Sequence, residues 1–462
     1  MAAEEKKVVL IVSLLSAFLL PFTTTSINVA LPQMGSDLAA DSVLLGWMVT
    51  AFMLSAAMFL LPVGRIADIR GRKRIFKIGA WIFAASSLLI ALASSPWLVI
   101  ALRALQGFGG AMIFGNGTAL LASVYPPEER GRVLGINIGT VYVGQAVGPF
   151  LGGVLTQHFG WRSNFVVIAL LAIFTAAIMT WKLKSETKAV HPEKFDITGS
   201  SLYCMTMFAL MYGLSVLPAP HGFGILAAGI AGLVAFVHHQ NRITHPIFRV
   251  NLFRDNTVFA MSNLAALLNY SATFAVGFLL SLYLQLVKGL SPQETGFILL
   301  SQPFVMALSS PLAGKLSDRI EPRLLATAGM VLTCLGLLVL ASLDAQSSLW
   351  LVLVPLLVHG LGFGLFSSPN TNAVMGSVDQ KLYGVASGIM STMRVMGQML
   401  SMSISMLIIA NFIGAVQLDS SNAAQLIDTS RITFLIFAVV CLGGILASLV
   451  RGNVHKPRAA SH

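Results

Sequence analysis

Gly64-Arg65-Ile66-Ala67-Asp68-Ile69-Arg70-Gly71-Arg72-Lys73-Arg74 is a short basic turn between two long apolar segments. Its head returns 250 residues later as Gly314-Lys315-Leu316-Ser317-Asp318. The Gly-to-Asp spacing is the same in both copies, and a Pro stands shortly before each. Outward from these turns the charge disappears. No Asp, Glu, Lys or Arg occurs at 8–36, 42–64, 78–102, 104–127, 133–161, 163–181, 197–241, 256–287, 295–314, 324–343, 345–378, 395–418 or 432–450. A helix that crosses a bilayer needs about 20 apolar residues, so most of these runs hold one helix. The run 197–241 holds two, divided at Pro218-Ala219-Pro220-His221-Gly222, and the expected total is fourteen.

Composition points the same way. Of 462 residues, 56% are apolar and 10% are charged, where soluble proteins carry about 25% charge. A buried soluble core of this size needs hydrophilic outer helices to cover it, and the pattern supplies none. A transmembrane barrel would alternate in segments of about ten residues, which these runs do not. The chain therefore reads as an all-α polytopic membrane protein. The 250-residue shift maps helices 1–6 onto helices 9–14 and leaves 7 and 8 as an inserted pair. This predicts a first six-helix half over 8–181, a linker and two inserted helices over 182–241, and a second six-helix half over 256–450. Repeated halves are the usual frame for alternating access. The connectors KLKSETKAVHPEKFD (182–196) and 242–255 read as amphipathic, and no GxxxxGK[ST] run offers an ATP site.

Basic residues set the expected orientation. With Lys6 and Lys7 on the cytoplasmic side, 24 of the 29 Lys and Arg fall on that side, against Arg162, Lys288 and Arg431 outside. This bias predicts cytoplasmic N- and C-termini in a cytoplasmic (inner) membrane. It also accounts for the net charge of +11 without nucleic acid, because the charges line an anionic leaflet instead of forming one stripe. Helix 1 reads as retained, not as a cleaved signal. Cys204, Cys334 and Cys441 are far apart within apolar runs and imply neither a disulfide framework nor a metal site.

A few polar residues and glycines stand out from this background. In the first turn, Gly64 and Gly71 suit a tight connection, with Gly71 free to take positive φ. Asp68 is placed to pair with Arg72 or to cap a neighbouring helix, as one part of a gate, and Asp318 is its repeat. Arg103 and Arg394 lie within spans, where a charge must face protein or a polar cavity. Arg103 reads equally as a partner of backbone carbonyls or as a coupling charge, and Arg394 equally as a crevice residue or a substrate contact. Gly144, Gly148 and Gly152 recur every four residues beside Pro149 and Gly153, a spacing that admits a close helix neighbour. That face is expected to form a hinge and seal between the halves. Thr23 and Asn28 in helix 1 are candidate cavity residues, and Trp47 reads as an interfacial anchor or a cavity wall.

These stretches resemble the major facilitator superfamily, in particular its fourteen-helix drug:proton antiporter branch. GRIADIRGRKR (64–74) resembles the helix 2–3 loop motif, LRALQGFGG (102–110) the helix 4 motif and GQAVGPFLGG (144–153) the antiporter motif of helix 5. GWRSNF (160–165), HPIFRVNLFR (245–254), YLQLVKGLSP (283–292) and GLGFGLFSSP (360–369) are further family marks. The resemblance implies the major facilitator fold and proton-coupled export of hydrophobic or amphipathic small molecules, with a role for Arg103 in proton coupling. It implies a proton gradient as energy source, no cofactor, and a monomer in the lipid bilayer. Where the branch carries an acidic residue in helix 1, this chain has Thr23, and none of its 18 acids lies deep in a span. Asp68 and His359 remain as titratable candidates, and neutral or anionic substrates gain over dicationic drugs. Export or exchange of a specific neutral or anionic metabolite is the alternative. A membrane sensor would leave the gate and glycines without purpose, and no convergent His, Asp or Glu cluster suggests an enzyme.

Overall fold

A computed structural model describes residues 2–183, 195–217, 219–243, 246–248, 250–317, 319–379 and 382–452. Among them are fourteen helices long and apolar enough to cross a membrane. In the first half these are α1 (Glu4–Asp37), α2 (Ser42–Arg70), α3 (Arg72–Ala91), α4 (Pro96–Leu121), α5 (Arg132–Phe159) and α6 (Arg162–Lys182). The inserted pair is α7 (Ile197–Ser215) and α8 (Pro220–Arg242). The second half comprises α9 (Thr257–Val287), α10 (Pro292–Ser317), α11 (Pro322–Leu340), α12 (Trp350–Gly376), α13 (Val385–Phe412) and α14 (Ser420–Val450).

Local chemistry sets many of the ends. Asp41 accepts from Leu44 N at 2.8 Å to start α2, and Asn256 accepts from Phe259 N at 2.9 Å to start α9. Pro opens α4, α8 and α11 in the first turn, where no N–H is needed. Gly71 takes φ 101° between α2 and α3, the positive-φ turn its sequence position suggested. The α9 span is not uniform. Its helix runs Thr257–Thr273 and Val276–Leu282, then widens into a π-helical turn over Tyr283–Val287. Ahead of it a one-turn helix, Asn251–Asp255, packs Leu252 and Phe253 beside Phe259, Val374 and Ile389.

The two halves pack alike. α1 meets α4, α5 and α6, as α9 meets α12, α13 and α14. α3 lies between α4 and α6, as α11 lies between α12 and α14. In lipid no hydrophobic force drives helices together, so small residues that let backbones touch carry much of the association. A methyl added at Gly79 would lie 2.9 Å from Gly109 O, and one added at Gly362 would lie 2.6 Å from Gly329 O. Thus the α3–α4 and α11–α12 crossings are built on the same glycine contact, with Gly79 and Gly329 again 250 residues apart. α5 against α10 and α2 against α13 join the halves. The inserted helices do not separate them. α7 docks on α2 and α13 while α8 packs mainly on α7, and Tyr203 of α7 donates to Ala57 O at 3.0 Å.

Asp196 anchors the inserted pair just outside the apolar span. Its carboxylate accepts from Gly199 N at 2.7 Å and Gln240 Nε2 at 2.9 Å, and pairs with His239 Nε2 at 3.1 Å. Burial pushes this carboxyl up, but those hydrogen bonds and the His239 charge outweigh it, and the group sits below the usual carboxylate value. A folded-state value below the unfolded one adds stability above the ordinary carboxylate range, and that stability is lost as pH falls through the folded value. The melting temperature of Asp196→Asn in detergent should therefore fall short of the parent at neutral pH, with the gap closing in acid. Packing gives a second expectation. Gly144→Ala, whose methyl would sit 2.5 Å from Phe18 O, should cost about 1–3 kcal/mol. Gly139→Ala, which meets nothing within 4 Å, should leave the melting temperature unchanged or higher.

Candidate functional site

The loops that carry most of the basic residues lie at one end of the bundle, and the halves are sealed at the other. There Ser42 N and Oγ donate to Val416 O at 2.8 Å and Gly414 O at 2.6 Å. Ser281 Oγ donates to Asn28 O at 2.7 Å, and Gln285 Nε2, in the π-helical turn, donates to Val29 O at 3.0 Å. His158 meets Gln293 at 3.2 Å. A methyl at Gly46 would strike the Met406 side chain, one at Gly153 would strike Pro292 O, and one at Gly296 would strike Pro149 O. At the basic end the ion pairs Lys73–Glu5, Lys6–Glu129 and Lys182–Glu4 join segments within the first half. Methyls added there at Gly64, Gly135, Gly139 and Gly388 meet nothing within 4 Å. The hydrogen bonds and close glycine approaches that join the halves thus lie away from the basic end, which reads as the open end of a cleft between them.

Half-way along it, six helices bring polar and aromatic side chains together. Arg394 lies nine residues into α13, about 14 Å from its start, with its guanidinium 4.9 Å from the Phe114 ring of α4. The Tyr270 side chain of α9 lies near Arg394 and near Ser367 of α12. Tyr142 of α5 sits 2.9 Å from Ser310 Oγ of α10 and 3.4 Å from Ser367 Oγ. Phe363 meets the Tyr270 ring edge-on at 5.3 Å.

The other expected site residues are placed as follows. Arg72 Nε and Nη2 donate to Asp68 Oδ1 at 2.9 and 2.7 Å across the Gly71 turn, both side chains partly exposed. Asp318 lies outside the described residues. Arg103, 1% exposed, donates through Nε to Met48 O at 2.8 Å and through Nη1 to Gln106 Oε1 at 2.6 Å, with Phe52 under its guanidinium at 4.5 Å. Gln106 continues to Ser87 Oγ at 2.7 Å, so this arginine ties α4 to α2 and α3 inside the first half. Thr23 is fully buried and donates to Leu19 O of its own helix at 2.7 Å. Asn28 is buried at the α1–α9 seam. Trp47 tilts against Tyr212 of α7 at 5.8 Å. His359 is fully buried, and the nearest approach to its Cβ from an added Gly336 methyl, 3.9 Å, puts it at the α11–α12 contact.

The helix 5 glycines divide their work differently from the expectation of one seal between halves. Gly144, Gly148 and Gly152 face Phe18, Thr25 and Ser26 of α1, within the first half. Gly153 and the Pro149 carbonyl face α10 of the second. Four-residue spacing keeps the first three on one helix face, and Gly153 is turned about 100° from Gly152.

Sequence reasoning missed Tyr142, Tyr270 and Phe114, which carry no charge and so leave no mark on the pattern. It also counted Arg451 with the loop cations. The structure buries Arg451 to 1% exposure, its Nη1 donating to Asn370 Oδ1 at 2.9 Å between α9, α12 and α14.

The Major Facilitator Superfamily profile matches residues 13–238 and 263–462. The chain belongs to the major facilitator superfamily. This transporter is 28% identical to the riboflavin transporter RibZ of Clostridioides difficile (strain 630), over 96% of this chain and 97% of that one. It is 31% identical to the multidrug resistance protein Stp of Mycobacterium tuberculosis, over 88% of this chain and 76% of that one. Its fold superposes on a bacterial homologue of the human lysosomal transporter Spinster, in an inward-facing and occupied conformation, with a TM-score of 0.71 at 15% identity over 96% of each chain.

Arg103→Ala in this transporter leaves Met48 O and the Gln106 carbonyl without their donor. It should lower stability by about 1–3 kcal/mol, visible as a lower melting temperature in detergent. An unchanged melting temperature with lost transport would instead make Arg103 a coupling charge.

Proposed function

We propose that this major facilitator protein exports hydrophobic or amphipathic small molecules across the cytoplasmic membrane as a monomer, by alternating access driven by the proton gradient. The observation that carries the reading is where the halves touch: hydrogen bonds and close glycine approaches join them away from the basic end, and at mid-depth polar and aromatic groups from six helices come together, as around a cleft open at the basic end. By the positive-inside bias the basic end and both termini face the cytoplasm, so the cleft is inward-open. In this reading 8–181 and 256–450 rock against each other, and the linker and helices of 182–241 follow on one flank. The polar seal at Ser42, Ser281 and Gln285 breaks as the turn with Gly64, Asp68, Gly71 and Arg72 swings towards its repeat with Asp318. One proton entering against export supplies about 2.3 kcal/mol per 100 mV. Multidrug resistance by Stp supports amphipathic substrates. RibZ, a riboflavin transporter, supports a second reading, transport of one specific neutral or anionic metabolite.

Asp68 belongs to the turn at the basic end, and its exposed pair with Arg72 should contribute under about 1 kcal/mol to stability. Asp68→Asn should therefore melt like the parent. In proteoliposomes that report internal pH, amphiphiles added to the parent should drive proton movement, and Asp68→Asn should slow it about tenfold or more, as a barrier rise of 1.4 kcal/mol would. Substrate movement with no proton movement in the parent would sink the coupled mechanism and leave facilitated diffusion or exchange.

A further inference from the structure

The centre of the cleft holds a cation, aromatic rings and hydroxyls, but no acid. Among the described residues no Asp or Glu lies in the middle third of any span. Arg394 thus has the Phe114 ring at its guanidinium and Tyr270 near it, and no carboxylate from the middle of a described span. A guanidinium left in that state in a low-dielectric cleft is a strong donor site for an anion.

Two other arginines in this chain show what a structural one looks like. Arg103 and Arg451 are each 1% exposed, and each donates to carbonyl or amide oxygens of its own half. Arg394 is only partly buried, and its ring partner Phe114 belongs to the opposite half. It stands at the junction that must change when the halves rock, which is where a transported molecule has to be felt.

We infer that Arg394, with Phe114, Tyr142 and Tyr270, forms the recognition site for an aromatic organic anion, a planar ring system bearing a carboxylate or an ionised phenol. This inference rests on the transport reading above and narrows its substrate class. The acidic group takes the planar fork of Arg394, which matches a carboxylate with two parallel N–H donors. Phe114 covers one face of the guanidinium and orients that fork. Tyr142 and Tyr270 add hydroxyls, and the edge-on Tyr270–Phe363 pair presents ring faces on which a planar substrate packs offset. An anion so held touches α5 of the first half and α9 and α13 of the second, and draws the cleft closed around it. A cationic amphiphile at the same depth meets a like charge with no acid to offset it.

The test uses the full chain and three probes of one shape: 2-naphthoate, its neutral amide, and the cationic 2-naphthylmethylammonium. Binding is measured by equilibrium dialysis in nanodiscs and flux in proteoliposomes. The parent should hold naphthoate about tenfold or more tighter than the amide, with the cation weakest. Arg394→Gln should bring naphthoate to the level of the amide while amide binding and melting temperature stay put, and Arg394→Lys should keep part of the preference. Equal affinity of the parent for all three probes would overturn the anion site, as would Arg394→Gln weakening all three alike. The parent's own discrimination decides the question even where a variant fails to fold. Naphthoate binding with no flux of any probe would count against the transport reading and leave the anion site standing; amide flux with no anion preference would do the reverse.

Discussion

A charge in hydrocarbon has to be surrounded by protein, and the rest of this structure depends on how few charges are allowed there and how each is held. Arg103 is spent on Met48 O and Gln106, and Gln106 on Ser87, so that one buried guanidinium fixes three helices of the first half. Arg451 does the same in the second half, joining the end of α14 to α9 and α12 through Asn370 and Ser262. With those two locked into the halves, Arg394 is left facing the cleft.

The same solvent explains the glycines. Apolar side chains gain little by leaving lipid for one another, so helices associate where backbones come close. The α3–α4 and α11–α12 crossings use one glycine contact twice, and α5 lays three glycines on α1. These contacts make each half a firm body. The contacts between halves at the sealed end mix three kinds: hydrogen bonds from Ser42, Ser281 and Gln285 to backbone carbonyls, the short approach of Gly153 and Gly296, and an apolar cluster that includes Val29 and Leu31 of α1 and Leu279 and Leu280 of α9. Firm halves joined most closely at one end are what a rocking mechanism requires.

The expected site divides along these lines. Asp68, Arg72 and Gly71 form the turn that their spacing announced, because an i,i+4 pair across a glycine is a local matter. The glycines of α5 were legible as a packing face, but their partner was not: α1 and α10 lie on adjacent faces of the same helix, and spacing names a face without naming its neighbour. Thr23 and His359 drew attention as polar residues in apolar runs. One is satisfied by a carbonyl a turn earlier in its own helix, and the other is buried at the α11–α12 contact.

The sequence by itself determined the number of helices, the repeat of the halves and the turns between them. Each of these follows from where charge is tolerated along a chain in lipid, and that is a property of one dimension. Only the tertiary structure decided which end of the cleft is closed, that α7 docks on a flank, and that Arg394, Phe114, Tyr142 and Tyr270 meet. Those residues come from four helices in two halves. Their meeting is set by helix rotation and by the glycine contacts that fix it, which no run of apolar residues records.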